Sequence, residues 1–365
     1  MLSFTLCASV DADPSEAPRP SAGSSRPTPR FSFWAASTQA QSVAASRPLR
    51  KRLKFFFRAL RQPRLTRAWL ARLVQPDLAP LWELRPRLAL KLQRPYLCCA
   101  WGPLERLASL LGHYEILPEL FSASARAAIF REGLDLIRLA LPGSGRLLTV
   151  RLFYHDRFEK EGELTLAIRE EKTGLMMAGL TFSLVNNAGA RIGLIGGLQA
   201  ANDPRMRDLI HDVAKEMHGL RPKALALWCF QQLSEPWQLT EIQAVGDAQH
   251  VWRHWSRRRE IAACYDEFWR ESDGQLLPGG GCWKLPLRPR PRSREELKPS
   301  RRRQHELRYA MLDRWAAGLL TASQAVAPRR QNPAPTAAGH VGFAWGTEPR
   351  QAQTASRLAA LNHSF

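Results

Sequence analysis

The sequence has no run approaching the roughly 18 consecutive apolar residues of a membrane span, no Cys-x-x-Cys pair and no Cys/His ladder at metal-ligand spacing. A structural zinc site and a disulfide framework are thereby excluded, and no metal is expected. The six cysteines, Cys7, Cys98, Cys99, Cys229, Cys264 and Cys282, read as reduced thiols. The apolar start MLSFTLCASV lacks a basic segment before it and runs into Asp11, Asp13 and Glu16, which argues against a secretory signal. A cytoplasmic location is the expectation. No Ser–His–Asp order and no nucleophile elbow can be assembled, and no internal repeat is visible.

Acidic residues are scarce at both ends and nowhere else. The net charge of +20 divides into +12 over residues 1–100, zero over 101–200, −1 over 201–286 and +9 over 287–365. Arginine outnumbers lysine 44 to 9, a bias that GC-rich coding also produces. Composition alone does not name a partner: the flanks can meet an anionic membrane surface or a protein, whereas the neutral middle gives no reason to expect nucleic acid.

Residues 1–46 and 328–365, rich in Pro, Ser, Ala and Gly, are expected to be tails without a packed core. A single domain is expected over 47–325, with a basic helical segment at 47–100, an α/β core at 101–287 and a C-terminal helix at 295–321. In RPLRKRLKFFFRAL, Leu49, Leu53, Phe56, Phe57 and Leu60 recur at helical spacing among Arg and Lys, the pattern of a basic amphipathic helix. Its apolar side can rest on the following domain or on a membrane. PLERLASLLGHYEILPELF and ASARAAIFREGLDLIRLAL read as helices punctuated by Pro103, Gly112 and Pro118.

The period then changes to two. LLTVRLFY, ELTLAIR, MMAGLTFSLV and RIGLIGGL, separated by the short turns EKEG, EKTG and NNAGA, predict an antiparallel meander. A helix opened by Asp203 and Pro204, the apolar helix ALALWCFQQL and the strand EIQAV follow, so the fold class is α/β or α+β: a meander, then helix–helix–strand.

Three stretches invite chemistry. GLRPK combines Gly219, Arg221 and Lys223 with a helix starting at Pro222, an anion-binding geometry if the helix end is free and otherwise a tight interhelical turn. In GLIGGLQ, Gly196, Gly197 and Gln199 end a meander strand; the glycines permit a bulge or a close backbone approach, and with GLRPK they are the candidates for binding an anion or cofactor. His250, three residues after Asp247, stands where a general base can, although the commoner role of such a histidine is structural. YDEFWRESDG places Tyr265, Phe268 and Trp269 on one helical face and Glu267, Arg270 and Glu271 on the other, with Asp266 beside the apolar face. Asp266 and Glu271 join His250 as catalytic candidates; the plain alternative is an aromatic turn docked in the core.

LIGGLQA (194–200), GLRPK (219–223), AVGDAQHVWR (244–253), YDEFWRE (265–271) and RYAMLD (308–313), in this order, resemble the signature stretches of the VirK/YbjX family of bacterial proteins over residues 47–325. The resemblance implies a non-catalytic accessory role in virulence, envelope modification, stress or antimicrobial-peptide resistance, and carries over no catalytic residue. The order of hairpins, helix and strand is also similar to the acetyltransferase fold. That likeness implies acyl-coenzyme A as cosubstrate, with GLRPK receiving the pyrophosphate and His250 or Asp266 as base.

Overall fold

Proline starts most helices of this chain. The computed structural model describes residues 48–187, 189–200, 206–253 and 264–328. Helices α1 (Pro48–Arg61), α2 (Pro63–Leu73) and α3 (Ala79–Leu84) lead into a 3₁₀ segment, Pro86–Gln93, and then α4 (Pro103–Leu120) and α5 (Ala123–Arg131). In α2, α3 and α4 a proline occupies one of the first two positions and no side chain caps the end, because proline's fixed φ replaces the cap. Among the four of these helices whose preceding residue is described, α5 alone shows a side-chain cap, Ser122 Oγ accepting from Ala125 N at 3.2 Å. The expected tails, apart from residue 328, and the Asp203–Pro204 helix start lie outside the described residues.

The sheet has the strands β1 (Leu134–Ala140), β2 (Leu147–Phe153), β3 (Leu164–Glu170), β4 (Met176–Asn187), β5 (Ala190–Ala200), β6 (Glu241–Val245), β7 (Gln275–Leu276) and β8 (Cys282–Leu285). Their order is β1-β2-β3-β4-β5-β6-β8-β7, antiparallel throughout except for the parallel pair β5–β6. Between β5 and β6 run α6 (Met206–Glu216) and α7 (Pro222–Gln232); α8 (Tyr265–Glu271) precedes β7, and α9 (Pro299–Val326) closes the described chain. The meander and the helix–helix–strand order are therefore as read from the periodicity.

One element differs. GLDLIRLAL, read as the end of a helix, forms β1, because Gly133 at φ +97° breaks α5 and Leu134–Ala140 pairs along β2. Cross-strand pairing, aided by the Arg151–Asp135 ion pair, outweighs the helical spacing.

Helices cover both faces of the sheet. Phe182 of β4 meets Phe230 of α7, ring centroids 4.6 Å apart, while its neighbour Ser183 points the other way and shares a 2.7 Å hydrogen bond with Tyr96 of the amino-terminal segment. The amino-terminal segment thus packs on the face opposite α7. Among the described residues no helix is long and apolar enough to cross a membrane, and the five described cysteines are free.

Candidate functional site at the divergence of β5 and β6

β5 and β6 pair only from Ile192/Glu241 to Ile195/Ala244, after which β5 continues along β4 alone as far as Ala200. At the point of parting the β4–β5 register jumps from Phe182↔Ile195 to Thr181↔Gly197, so Gly196 is one extra residue, a β-bulge. Glycine is required there by close approach. A Cβ on Gly196 would run into the backbone carbonyl of Glu161 and the Leu97 side chain, and one on Gly197 into the Glu161 carboxylate.

Glu161 is 2% exposed. Its Oε1 accepts from Trp252 Nε1 at 2.6 Å and its Oε2 from Gln199 Nε2 at 2.8 Å, both neutral donors. Burial raises its pKa above the ordinary carboxylate range, and the two hydrogen bonds only partly oppose that. A carboxyl group withdrawn from water onto neutral donors is costly to the fold, and such groups gather at functional sites.

Two side chains approach β5 where β6 no longer does. The His250 ring lies against the Gly196 backbone, and the Tyr265 hydroxyl reaches the Leu198 backbone and the Gln199 side chain. The two rings stack with centroids 4.9 Å apart at 14°. His250 is 1% exposed and burial pushes its pKa down to about 4, so the ring is neutral; its Nε2 is buried without a hydrogen-bond partner among the described residues. Burial and the nearby Glu161 push the Tyr265 pKa up, keeping its proton in place as a donor. Cys98, bridged to His250 through the backbone, is no nucleophile, since burial pushes its thiol up to about 12.

The EKEG turn that precedes β3 carries more than a reversal of the chain. In FEKEGE, Glu159, Glu161 and Glu163 are all buried, each with a different set of partners. Glu159 takes Arg87 and, at 2.7 Å, Arg94; Glu163 takes Lys91 at 2.7 Å and the Tyr114 hydroxyl at 2.5 Å. For Glu163 burial acts to raise the pKa, but Lys91, His113 and the hydrogen bonds from Lys91 and Tyr114 outweigh it and hold the carboxyl below the usual range. Among the described residues Glu161 alone of the three takes its hydrogen bonds from uncharged groups, and the nearby Arg157 and Lys160 do not offset its burial.

Of the residues singled out from sequence, Gly196, Gly197, Gln199 and His250 come together here. Arg221 and Lys223 do not join them, because α7 begins on the opposite face, where Gly219 (φ +82°) abuts Gln304 and Arg308 of α9. Arg308 is itself held by the His218 carbonyl at 2.6 Å, and burial lowers the Lys223 pKa. Asp266 is tied into the frame: its Oδ1 accepts from Asp247 N at 3.1 Å and Trp283 Nε1 at 2.8 Å. Asp247 returns the arrangement by accepting from Tyr265 N at 3.0 Å, and Glu271 is exposed at the far end of α8. Sequence reasoning missed Glu161 and Tyr265. The available signal was three alternating glutamates beside a glycine, more acid than a four-residue reversal needs.

A family profile described as "Protein of unknown function (DUF535)" matches residues 45–320. The chain is 32% identical over 267 residues to the Escherichia coli K12 "Uncharacterized protein YbjX", covering 72% of this chain and 80% of that protein. A Haemophilus influenzae "Uncharacterized protein" is 32% identical over 170 residues, 46% of this chain and 55% of its own; a second is 24% identical over 153 residues, 42% and 50%.

Proposed function

The chain belongs to the DUF535 family of proteins of unknown function, the VirK/YbjX group, and from that premise we propose that it transfers an acyl group from a coenzyme A thioester, in the cytoplasm, at the parting of β5 and β6. The observation that carries this reading is the buried Glu161 carboxyl seated on the Gly196–Gly197 bulge where the sheet's parallel pair ends. Strand order and a single parallel pair of this kind are similar to the acetyltransferase fold, an analogy that supports the reading without carrying it.

To bind in the gap a thioester would have to displace part of the His250–Tyr265–Glu161 packing. Its carbonyl carbon would then bond to the oxygen or nitrogen of an acceptor hydroxyl or amine, the acceptor's proton would pass to Glu161, and coenzyme A would leave as the thiolate. Glu161 is the base: its raised pKa makes its carboxylate a better proton acceptor than an exposed glutamate, and Trp252 and Gln199 aim it. Tyr265 keeps its proton and is the hydrogen-bond donor. His250, neutral, holds the Tyr265 ring by stacking and is a positioning residue.

Thermal shift of the full chain with acetyl- and long-chain acyl-coenzyme A tests this. Wild type and Glu161→Gln should both gain stability at millimolar ligand, while thiol release from the thioester falls at least about a hundredfold in Glu161→Gln. An unchanged melting temperature in wild type overturns the proposal. Arg221→Ala should leave the ligand-induced shift unchanged, because α7 begins on the opposite face of the sheet.

A second reading rests on the packing of the same gap. His250, Tyr265 and Glu161 already fill it with their side chains, which suits a non-catalytic accessory protein in envelope modification, stress or antimicrobial-peptide resistance. That reading stands if no thioester binds.

A further inference from the structure

Helix α1 is apolar on two sides. Phe55 and Ala59 are buried, at 3% and 0%, and dock the helix onto the domain, with Arg58 Nη1 fastened to the Gln93 carbonyl at 3.1 Å. Leu53, Phe57 and Leu60 point away, exposed at 41%, 63% and 51%. At 100° per residue these three fall within about 60° of one another, a continuous outward stripe. Lys54, Arg58 and Arg61 occupy the flank beside it, and all three are exposed.

An exposed apolar stripe needs an occupant, and charge selects it. Between Glu16 and Asp77 the chain contains no acidic residue. A second copy of α1 would set cation against cation, and the chain's own residues 17–46, which carry arginines and no acid, are mismatched for the same reason. We propose that α1 is an interfacial anchor for an anionic lipid surface, with Leu53, Phe57 and Leu60 entering among the acyl chains and Lys54 and Arg61 meeting the headgroups. An apolar face bordered by Lys and Arg is the composition that lies in the plane of a bilayer interface. The inference is independent of the reaction assigned to the β5–β6 gap.

Co-sedimentation of the full chain with vesicles tests it. Wild type should bind phosphatidylcholine–phosphatidylglycerol vesicles and leave pure phosphatidylcholine largely unbound. The triple variant Leu53→Ser/Phe57→Ser/Leu60→Ser, whose side chains are outside the core, should keep its thermal unfolding curve and lose binding by at least about tenfold. Undiminished binding of that variant would assign lipid contact to the basic tails and overturn the proposal. So would absence of wild-type binding, equal binding to both vesicle types, or a wild-type dimer that the variant converts to monomer in lipid-free buffer.

Discussion

Lys91 Nζ stands 2.7 Å from Glu163 Oε1, with side-chain exposures of 2% and 0%, and joins the amino-terminal segment to the start of β3. The ammonium also lies over the Tyr154 and Tyr96 rings, 4.9 and 5.3 Å from their centroids. Removing one member of such a pair strands the other charge. Lys91→Met should cost about 3–5 kcal/mol in urea unfolding, and Lys91→Met/Glu163→Gln should recover part of it. A loss below about 1 kcal/mol would show that Glu163 finds another partner.

Stability should fall on mild acidification. His113 and His250 are held neutral by burial, with pKa about 4 in the fold against about 6.5 in the unfolded chain. The unfolded chain therefore binds protons first as pH drops from about 6.5 towards 4, and each histidine contributes a loss of about 1.4 kcal/mol per pH unit in that window. Glu161, with its raised pKa, acts in the opposite direction, because its protonation favours the folded state. His250→Phe keeps the stack on Tyr265 and should flatten the profile by one proton's worth, measured by urea midpoints across the window.

Gly196→Ala and Gly197→Ala should separate. The first meets the Glu161 backbone carbonyl, which cannot retreat without moving the chain, and should cost about 3 kcal/mol. The second meets the Glu161 carboxylate, a side chain that can swing aside. It should cost less in denaturation and more in thioester turnover, since it displaces the base from Trp252 and Gln199.

Asp266→Ala should behave as a frame mutation. It removes the acceptor for Asp247 N and Trp283 Nε1 and should destabilise by about 1–3 kcal/mol. Thioester affinity measured well below the melting temperature should be unchanged. A large loss of turnover in folded protein would return Asp266 to the reaction.

The meander was legible in the sequence because β3 and β4 alternate against partners a few residues away, and α8 was legible because Tyr265 and Trp269 are buried while Glu267, Arg270 and Glu271 are exposed. β1 was not, since its helical spacing is overruled only by pairing with β2. The site was half legible. Gly196, Gly197, Gln199 and His250 announce themselves by residue type, but Glu161 reads as turn filler until Trp252, 91 positions later, is known to reach it. Nothing local to GLRPK says that α9, more than 80 residues on, stands against it; Arg308 reaches back 90 positions to His218.

The buried glutamates of FEKEGE set an order of assembly. Arg87 and Lys91 each lie 72 positions before their glutamate, and Arg94 lies 65 before its own. These cations leave the ribosome long before their partner glutamates do, and contacts of that span close late because the loop entropy must be overcome first. The basic segment is made before the β3–β4 hairpin, whereas seating it requires the glutamates that lead into that hairpin. Of these two parts, the one made first is the one seated last.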